Sequence, residues 1–396
     1  FHADDGIRDF CLSRGLGDVY KRQLIDACER FSRDSFLAID TEFMRERTYY
    51  PQLCLIQIAG KDEAVTVDAL ATEINLNPIL DLMANNQITK VFHACRQDME
   101  IFFNLNRRIP FPVFDTQIGA MVCGYGDSVS YDKLVRQITG VQIDKSSRFT
   151  DWSHRPLSKQ QLNYALSDVT HLRTVYESLL NQLEKNGRIN WLNEEFQNVL
   201  SPKTYDIPLD QIWKRLKIKN GRPRFLILVR ELCAFREKEA QNRNTPRNRV
   251  IRDDVLLDIA ARSPRSSVDL AKVRSLSPQF AEGRLGKSIL RVVAEASNIP
   301  ESDAPQLEKL NKSNPQKPAL IELLKVLLKH KSEDNKVAQK LIASTADLEA
   351  IAEDDNANVL ALNGWRKDVF GDDALLLKSG KIALSAAGDR IRVIRI

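Results

Sequence analysis

Five residues of this 396-residue chain have types and spacings that suit one kind of chemistry. Asp40 and Glu42 lie two apart at the end of the apolar run Phe36-Leu37-Ala38-Ile39. On a strand, residues two apart project to the same face. Two carboxylates side by side at the end of a buried strand are costly unless a cation sits between them. Hard oxygen ligands of this kind suit Mg²⁺ or Mn²⁺. Asp98 falls in the first turn of a predicted helix that leaves the strand ending at Phe92-His93. The helix dipole favours a carboxylate there, and helix starts after strands form the ligand-binding edge of α/β sheets. Tyr164 and Asp168 are four apart on a helical stretch, hence on one face. Taken singly, Asp-x-Glu reads equally as a solvated turn, Asp98 as a plain helix-start charge, and Tyr-x-x-x-Asp as core plus surface. Their joint order in one domain is what is specific.

The elements that must position these residues follow from periodicity. Residues 24–31 read as a helix with Leu24, Ile25, Cys28 and Phe31 on one side. Residues 36–42, 53–59 and 64–68 read as three sequential antiparallel strands, the last two joined by a Gly60-Lys61-Asp62 turn. Helices are predicted over 74–84, 97–106 and 116–123, alternating with strands at 90–93 and 113–114. This pattern indicates an α/β domain with a mixed sheet. Residues 158–185 are helical, opened by a Ser158/Gln161 capping box. Residues 202–208 read as a linker. Beyond it come short amphipathic helices at 226–235, 253–261, 268–273 and 286–296, a second linker rich in Ser, Asn and Pro, and helices at 319–327, 335–342, 345–351 and 364–369. A small hairpin of 382–386 and 390–396 turns at Gly388-Asp389.

Composition narrows the class. A hydrophobic share of 43% is ample for packed cores, and a chain this long is expected to hold two or three domains. The apolar runs are far too short to span a bilayer. The six cysteines are scattered without a Cys-x-x-Cys pair, which argues against a zinc site or disulfide framework and for a reducing cytoplasm. The net charge of +5 is mild, but between residues 211 and 252 thirteen Lys/Arg face three Glu. Lys214, Arg215, Lys217, Arg222, Arg224, Arg243, Arg247 and Arg249 are the candidate phosphate contacts in that run. The chain opens on Phe1, and Asp18-Val19-Tyr20-Lys21-Arg22-Gln23 resembles the translated end of a sequencing-library adapter. Residues 1–23 are therefore read as a non-native segment, with a native first strand expected to be missing.

With these residues in view, the order Asp40-Thr41-Glu42, Asp98, Tyr164-x-x-x-Asp168 resembles the three motifs of the DEDD family of 3′–5′ exonucleases. The histidine subclass would place His at position 163. Asn163 stands there, so the tyrosine subclass fits. The runs Thr48-Tyr49-Tyr50-Pro51-Gln52-Leu53-Cys54-Leu55-Ile56-Gln57, Asp144-Lys145 with Asp151-Trp152, and Arg155-Pro156-Leu157 resemble the bacterial ribonuclease D family within it, over about residues 24–200. Residues 228–254 resemble the helicase-and-RNase-D C-terminal (HRDC) domain, and 319–378 a more divergent, more acidic second copy. The resemblance implies a ribonuclease H-like α/β exonuclease domain, with a mixed sheet of five to six strands, followed by two small all-α domains. The expected limits are 24–200 for the exonuclease domain, 201–212 for a linker, 213–295 for the first HRDC-type domain, 296–318 for a linker, 319–379 for the second, and 380–396 for the hairpin.

The same resemblance implies catalysis by Asp40, Glu42, Asp98, Tyr164 and Asp168, the four carboxylates holding two divalent ions, Mg²⁺ or Mn²⁺. Two such ions about 3.5–4 Å apart clamp the attacking and leaving oxygens of an in-line displacement. Tyr164, with a reference pKa of about 10, is a poor base at neutral pH and is expected to orient the water. The implied substrate is precursor transfer RNA, trimmed from its 3′ end to nucleoside 5′-monophosphates by a monomeric, cytoplasmic enzyme with no membrane partner. A 3′–5′ DNA exonuclease of the same superfamily and a non-catalytic RNA-binding protein are the alternatives. His93 is expected to be a hydrogen-bonded core histidine and His154 a bystander. Tyr49, Tyr50 and Phe149 read equally as base-stacking platforms and as packing.

Overall fold

The computed structural model describes residues 17–218, 221–307 and 317–396, and its contacts divide the chain into two compact units. Unit 1 comprises Phe1–Glu42, Leu53–Ser201 and Lys312–Ile396, and unit 2 comprises Phe43–Gln52 and Pro202–Asn311. Residues 1–16 of the expected non-native segment lie outside the described residues. Residues 17–23 form the first turns of the helix Gly17–Phe31. Leu24, Ala27, Cys28 and Phe31 of that helix are buried, whereas Ile25, expected on the buried side, is exposed.

Five strands build the sheet of unit 1: β1 (Phe36–Met44), β2 (Gln52–Ala59), β3 (Ala64–Asp68), β4 (Thr89–Phe92) and β5 (Val113–Asp115). Their order is β3-β2-β1-β4-β5. β2 and β3 pair antiparallel, whereas β4 is parallel to both β1 and β5. The sheet is therefore mixed, and β1 is its central strand. Leu37, Ala38 and Ile39 are fully buried, as an unbroken apolar run in a strand covered on both faces requires. Because β1 and β4 run the same way, with Leu37 level with Lys90 and Ala38 with Val91, their carboxyl ends share one edge. Asp40 and Glu42 lie toward that end of β1, and the corresponding end of β4 precedes the helix Arg96–Asn106.

The helix Lys159–Lys185 packs on β3, on β4 and on the helices Thr116–Val122 and Tyr131–Thr139. Its predicted capping box is present, with Ser158 accepting from Gln161 N–H and Gln161 reciprocating. Lys90 is buried beneath the sheet edge, and its ammonium donates to the carbonyls of Asn85, Ile88 and Phe111 at 2.5–2.7 Å.

The segment expected as a separate second HRDC-type domain belongs to the same compact unit as the exonuclease sheet. One core runs through Phe114, Val122, Leu179, Leu192 and Phe196 into Leu324, Leu327, Ile342, Leu348 and Phe370. Trp191 stacks on Trp365 with ring centroids 4.2 Å apart and planes 5° from parallel. Arg366, almost fully buried, pairs with Glu194 and Glu195 and donates to the Leu341 carbonyl at 2.6 Å. The helix expected over 335–342 is broken at Lys336, which takes a left-handed conformation and lets Ala338 N–H bond to the Met121 carbonyl. Gly124 faces that bend. A Cβ on it would stand 2.6 Å from the Lys336 carbonyl oxygen, and its φ is +84°. The closing hairpin, Ile382–Ala387 with Arg390–Arg395, forms as expected.

Unit 2 is helical, with Pro223–Asn242 at its centre, packed by Asp253–Arg262 and Arg284–Ser297. The expected linker 201–212 is not a bare tether. Leu209–Arg215 is a 3₁₀ helix that buries Ile212 and Trp213 in the core of this unit. Part of the second expected linker, 308–316, lies outside the described residues.

Candidate active site

Asp40, Glu42 and Asp168 each present a carboxylate oxygen, and these oxygens all lie within 4.8 Å of one another. β1 supplies the first two and the helix Lys159–Lys185 the third. Asp98, in the first turn of its helix as predicted, accepts a hydrogen bond from Thr41 Oγ1 at 2.5 Å. Burial pushes the Asp40 carboxyl up to about 6, opposed by the Thr41 N–H. Burial and the charge of Asp40 push Asp168 up to about 8. Glu42 rises to about 10 through burial and the charges of Asp40, Asp168 and Asp98. Asp98 is driven well above the carboxylate range by burial and by Asp40. Four carboxyls this close, two of them buried and two half-buried, resist ionising together without a countercharge. Tyr164 is half-buried against Asp168, and burial with the surrounding negative charges raises its phenol far above the usual value. It can therefore donate a hydrogen bond but not act as a base near neutral pH.

The turn that delivers Asp98 is held by a residue the motif reading passed over. Asp115 is buried, and its carboxylate accepts from the N–H groups of Ala94, Cys95 and Gln117 at 2.8–2.9 Å. Ala94 has a φ of +58°, a conformation that costs a non-glycine residue energy and is stabilised here by that bond. The sequence signal was an Asp directly before a helix, a plain N-cap. Tyr131 is a second such residue, its hydroxyl donating to the Asp168 carbonyl. His93 lies between Thr116 Oγ1 and the Val129 carbonyl, and burial lowers its pKa. It is the hydrogen-bonded structural histidine expected, and His154 is an exposed loop residue.

Within unit 2, Arg247 and Arg224 of the eight candidate phosphate contacts are tied to partners distant in sequence. Arg247 pairs with buried Glu237, and its guanidinium covers the Tyr49 ring at 4.8 Å. Arg224 donates to the carbonyls of Ala296, Ser297 and Ile299. A run of basic residues does not show which of them have partners distant in sequence. Lys214, Arg215, Lys217, Arg222, Arg243 and Arg249 are exposed. Tyr49 also bonds to Glu237 and Gln241, and its N–H and that of Tyr50 reach Asn244 Oδ1, so Tyr49 is packing.

The 3′-5′ exonuclease family matches residues 20–184, and the HRDC domain family residues 226–293. Ribonuclease D of Granulibacter bethesdensis is 49% identical over 93% of this chain and 93% of its own. The chain belongs to the ribonuclease D family. Ribonuclease D of Nitrobacter hamburgensis is 48% identical over 94% of this chain and 97% of its own. The crystal structure of Escherichia coli RNase D, described as an exoribonuclease involved in structured RNA processing, superposes with a TM-score of 0.78 at 27% identity, covering 94% of this chain and 99% of that one. The chain is accordingly a 3′–5′ exoribonuclease, a hydrolase of RNA phosphodiesters. Family membership implies divalent-metal use, and the oxygen cluster of Asp40, Glu42 and Asp168 is a donor set of the right hardness. No helix among the described residues is long and apolar enough to cross a membrane.

Proposed function

We propose that this protein trims the 3′ end of precursor transfer RNA as a cytoplasmic monomer, releasing nucleoside 5′-monophosphates. The observation that carries the reading is the convergence of Asp40, Glu42 and Asp168 at the carboxyl edge of the sheet, with Asp98 beside them on Thr41. Asp40, Glu42, Asp98 and Asp168 would hold two divalent ions, Mg²⁺ or Mn²⁺, whose charge the four carboxylates match. Bound there, such ions would supply Lewis acidity that lowers the pKa of water and offsets negative charge at the scissile phosphate. Tyr164 keeps its proton and orients the attacking water by donating a hydrogen bond. Asp115 and Tyr131 position Asp98 and the Asp168 backbone. The catalytic residues all fall within residues 24–200. Residues 213–295 hold the RNA backbone through the exposed cations Lys214, Arg215, Lys217, Arg222, Arg243 and Arg249, in keeping with the structured RNA named for the E. coli relative.

The test is digestion of a 5′-labelled transfer RNA precursor carrying a 3′ extension, beside an unstructured RNA and a DNA strand of the same 3′ sequence. The expected result is a ladder that shortens to the mature 3′ end, requires Mg²⁺ or Mn²⁺, and forms faster on the precursor than on either control. Equal rates on all three would overturn the substrate assignment.

A further inference from the structure

Residues 144–152 form a tight turn whose two sides are tied to the helix that carries Tyr164 and Asp168. Gln160 Nε2 donates to Ser146 Oγ at 2.6 Å, and Gln161 Nε2 to Thr150 Oγ1 at 3.1 Å. Thr150 Oγ1 in turn donates to the Ser147 carbonyl, and Ser147 is buried. Trp152 is buried, with its ring 6.1 Å from that of Tyr164. Lys145 is held by an ion pair to Asp132. At the crest of this anchored turn stand Arg148 and Phe149.

Neither residue has a structural occupation. Phe149 is 89% exposed, the most exposed large apolar side chain among the described residues. Arg148 makes no ion pair with a carboxylate among the described residues, and its guanidinium lies 5.1 Å from the centre of the Phe149 ring. A single exposed Phe is common on protein surfaces. An exposed Phe on a turn fixed to the helix of Tyr164 and Asp168, joined to an arginine with no carboxylate partner among the described residues, is a different matter. Every base has a π face that an aromatic ring can stack on, and guanidinium groups suit phosphate oxygens. Of the three aromatic residues open to base stacking, Tyr49 is consumed by packing, and Phe149 stands on the turn tied to the helix of Tyr164 and Asp168.

We propose that Arg148 and Phe149 seat the RNA 3′ end, Phe149 stacking on the base of one of the two nucleotides that flank the scissile phosphate and Arg148 contacting a phosphate oxygen there. This rests on the exonuclease reading of the site and adds to it the residues that position the substrate. The pair places the terminal phosphodiester over the carboxylates without reading base identity, which suits an enzyme that removes successive nucleotides.

The experiment is steady-state digestion of a 5′-labelled RNA by the full chain and by Phe149→Ala, Phe149→Trp and Arg148→Ala. Each enzyme is given the normal strand and two strands with an abasic residue at the last or the penultimate position. Urea midpoints of the variants check that folding is intact, as expected for exposed side chains. Phe149→Ala should raise KM by about 10-fold or more on the normal strand, with Phe149→Trp near wild type. On one of the two abasic strands the wild type should lose the same factor, and Phe149→Ala should lose nothing further. Arg148→Ala should raise KM and lower the salt dependence of binding by about one counterion. An unchanged KM for Phe149→Ala, or an equal loss on normal and abasic strands, overturns the proposal while wild-type shortening leaves the exonuclease reading standing. Failure of the wild type itself to shorten any strand would instead strike that reading.

Discussion

Arg366→Met is expected to destabilise the exonuclease body from a position far along the chain from its catalytic motifs. The guanidinium is 4% exposed, bonds to Glu194 and Glu195, donates to the Leu341 carbonyl and covers the Trp365 ring at 4.7 Å. Methionine keeps much of the packing but none of the polar contacts. Glu195, with a side chain 14% exposed, is left without its countercharge, and the Leu341 carbonyl without its donor. Glu194 is 41% exposed and contributes little. Breaking a buried pair costs about 3–5 kcal/mol. Against a total stability of about 5–15 kcal/mol, this is a large fraction. Burial already raises the Glu195 pKa, and Arg366 pulls it back down. Without Arg366 it rises further, so the folded variant binds a proton that the unfolded chain releases. The deficit is then greatest above the folded pKa, at pH 8, and shrinks as pH falls to 5. Urea unfolding at both pH values reads this directly, and Glu195→Gln added to Arg366→Met should recover most of the loss. A loss below about 1 kcal/mol at pH 8, or one independent of pH, would refute the reasoning. The same argument predicts that a chain cut after Leu200 loses its fold, because the cut bares Leu192 and Phe196. These lie on a helix packed on Thr116–Val122, the helix that Asp115 caps.

Two further outcomes follow from the same structure. Lys90→Met should cost about 2–4 kcal/mol in urea unfolding, since three carbonyls lose their shared donor, and an unchanged midpoint would show that the ammonium cage contributes nothing. In metal-free protein, Asp40 and Asp168 bind protons in the folded state at pH values where the unfolded chain has lost them, so stability should fall as pH rises from 4 to 8. Mg²⁺ competes with those protons. Its stabilisation, about 2.7 kcal/mol at a hundredfold excess over Kd, should therefore raise the Tm more at pH 8 than at pH 5, and a shift equal at both would contradict the cluster as the metal site.

The residues that could be read directly were those whose signal is local. Asp40 and Glu42 stand out because a carboxylate pair interrupts an apolar strand, and Ser158/Gln161 because a capping box is a contact three residues long. Asp115 and Tyr131 escaped because they act on backbone groups about 20 and 37 residues away. The docking of residues 318–378 on the exonuclease body escaped for a related reason. An amphipathic helix shows that it has an apolar face but not which surface covers it, and Trp365 and Trp191 meet across 174 positions of chain. Ile25 and Ala27 illustrate the finer limit, since they stand about 200° apart on the helix and the smaller of the two takes the buried face. Arg247 shows that charge in a basic run does not imply a free side chain.

The central claim is that Asp40, Glu42, Asp98 and Asp168 carry metal-dependent hydrolysis at RNA 3′ ends. Its most direct test is single-turnover digestion of a 5′-labelled RNA by the wild type and by Asp168→Asn, each with Mg²⁺ and with EDTA, alongside RNA affinity measured without metal. The expected result is shortening from the 3′ end by the wild type with Mg²⁺ alone, and a rate at least about 10³-fold lower in the variant, with its affinity for RNA kept. Shortening by Asp168→Asn at the wild-type rate, or undiminished wild-type shortening in EDTA, would contradict the account.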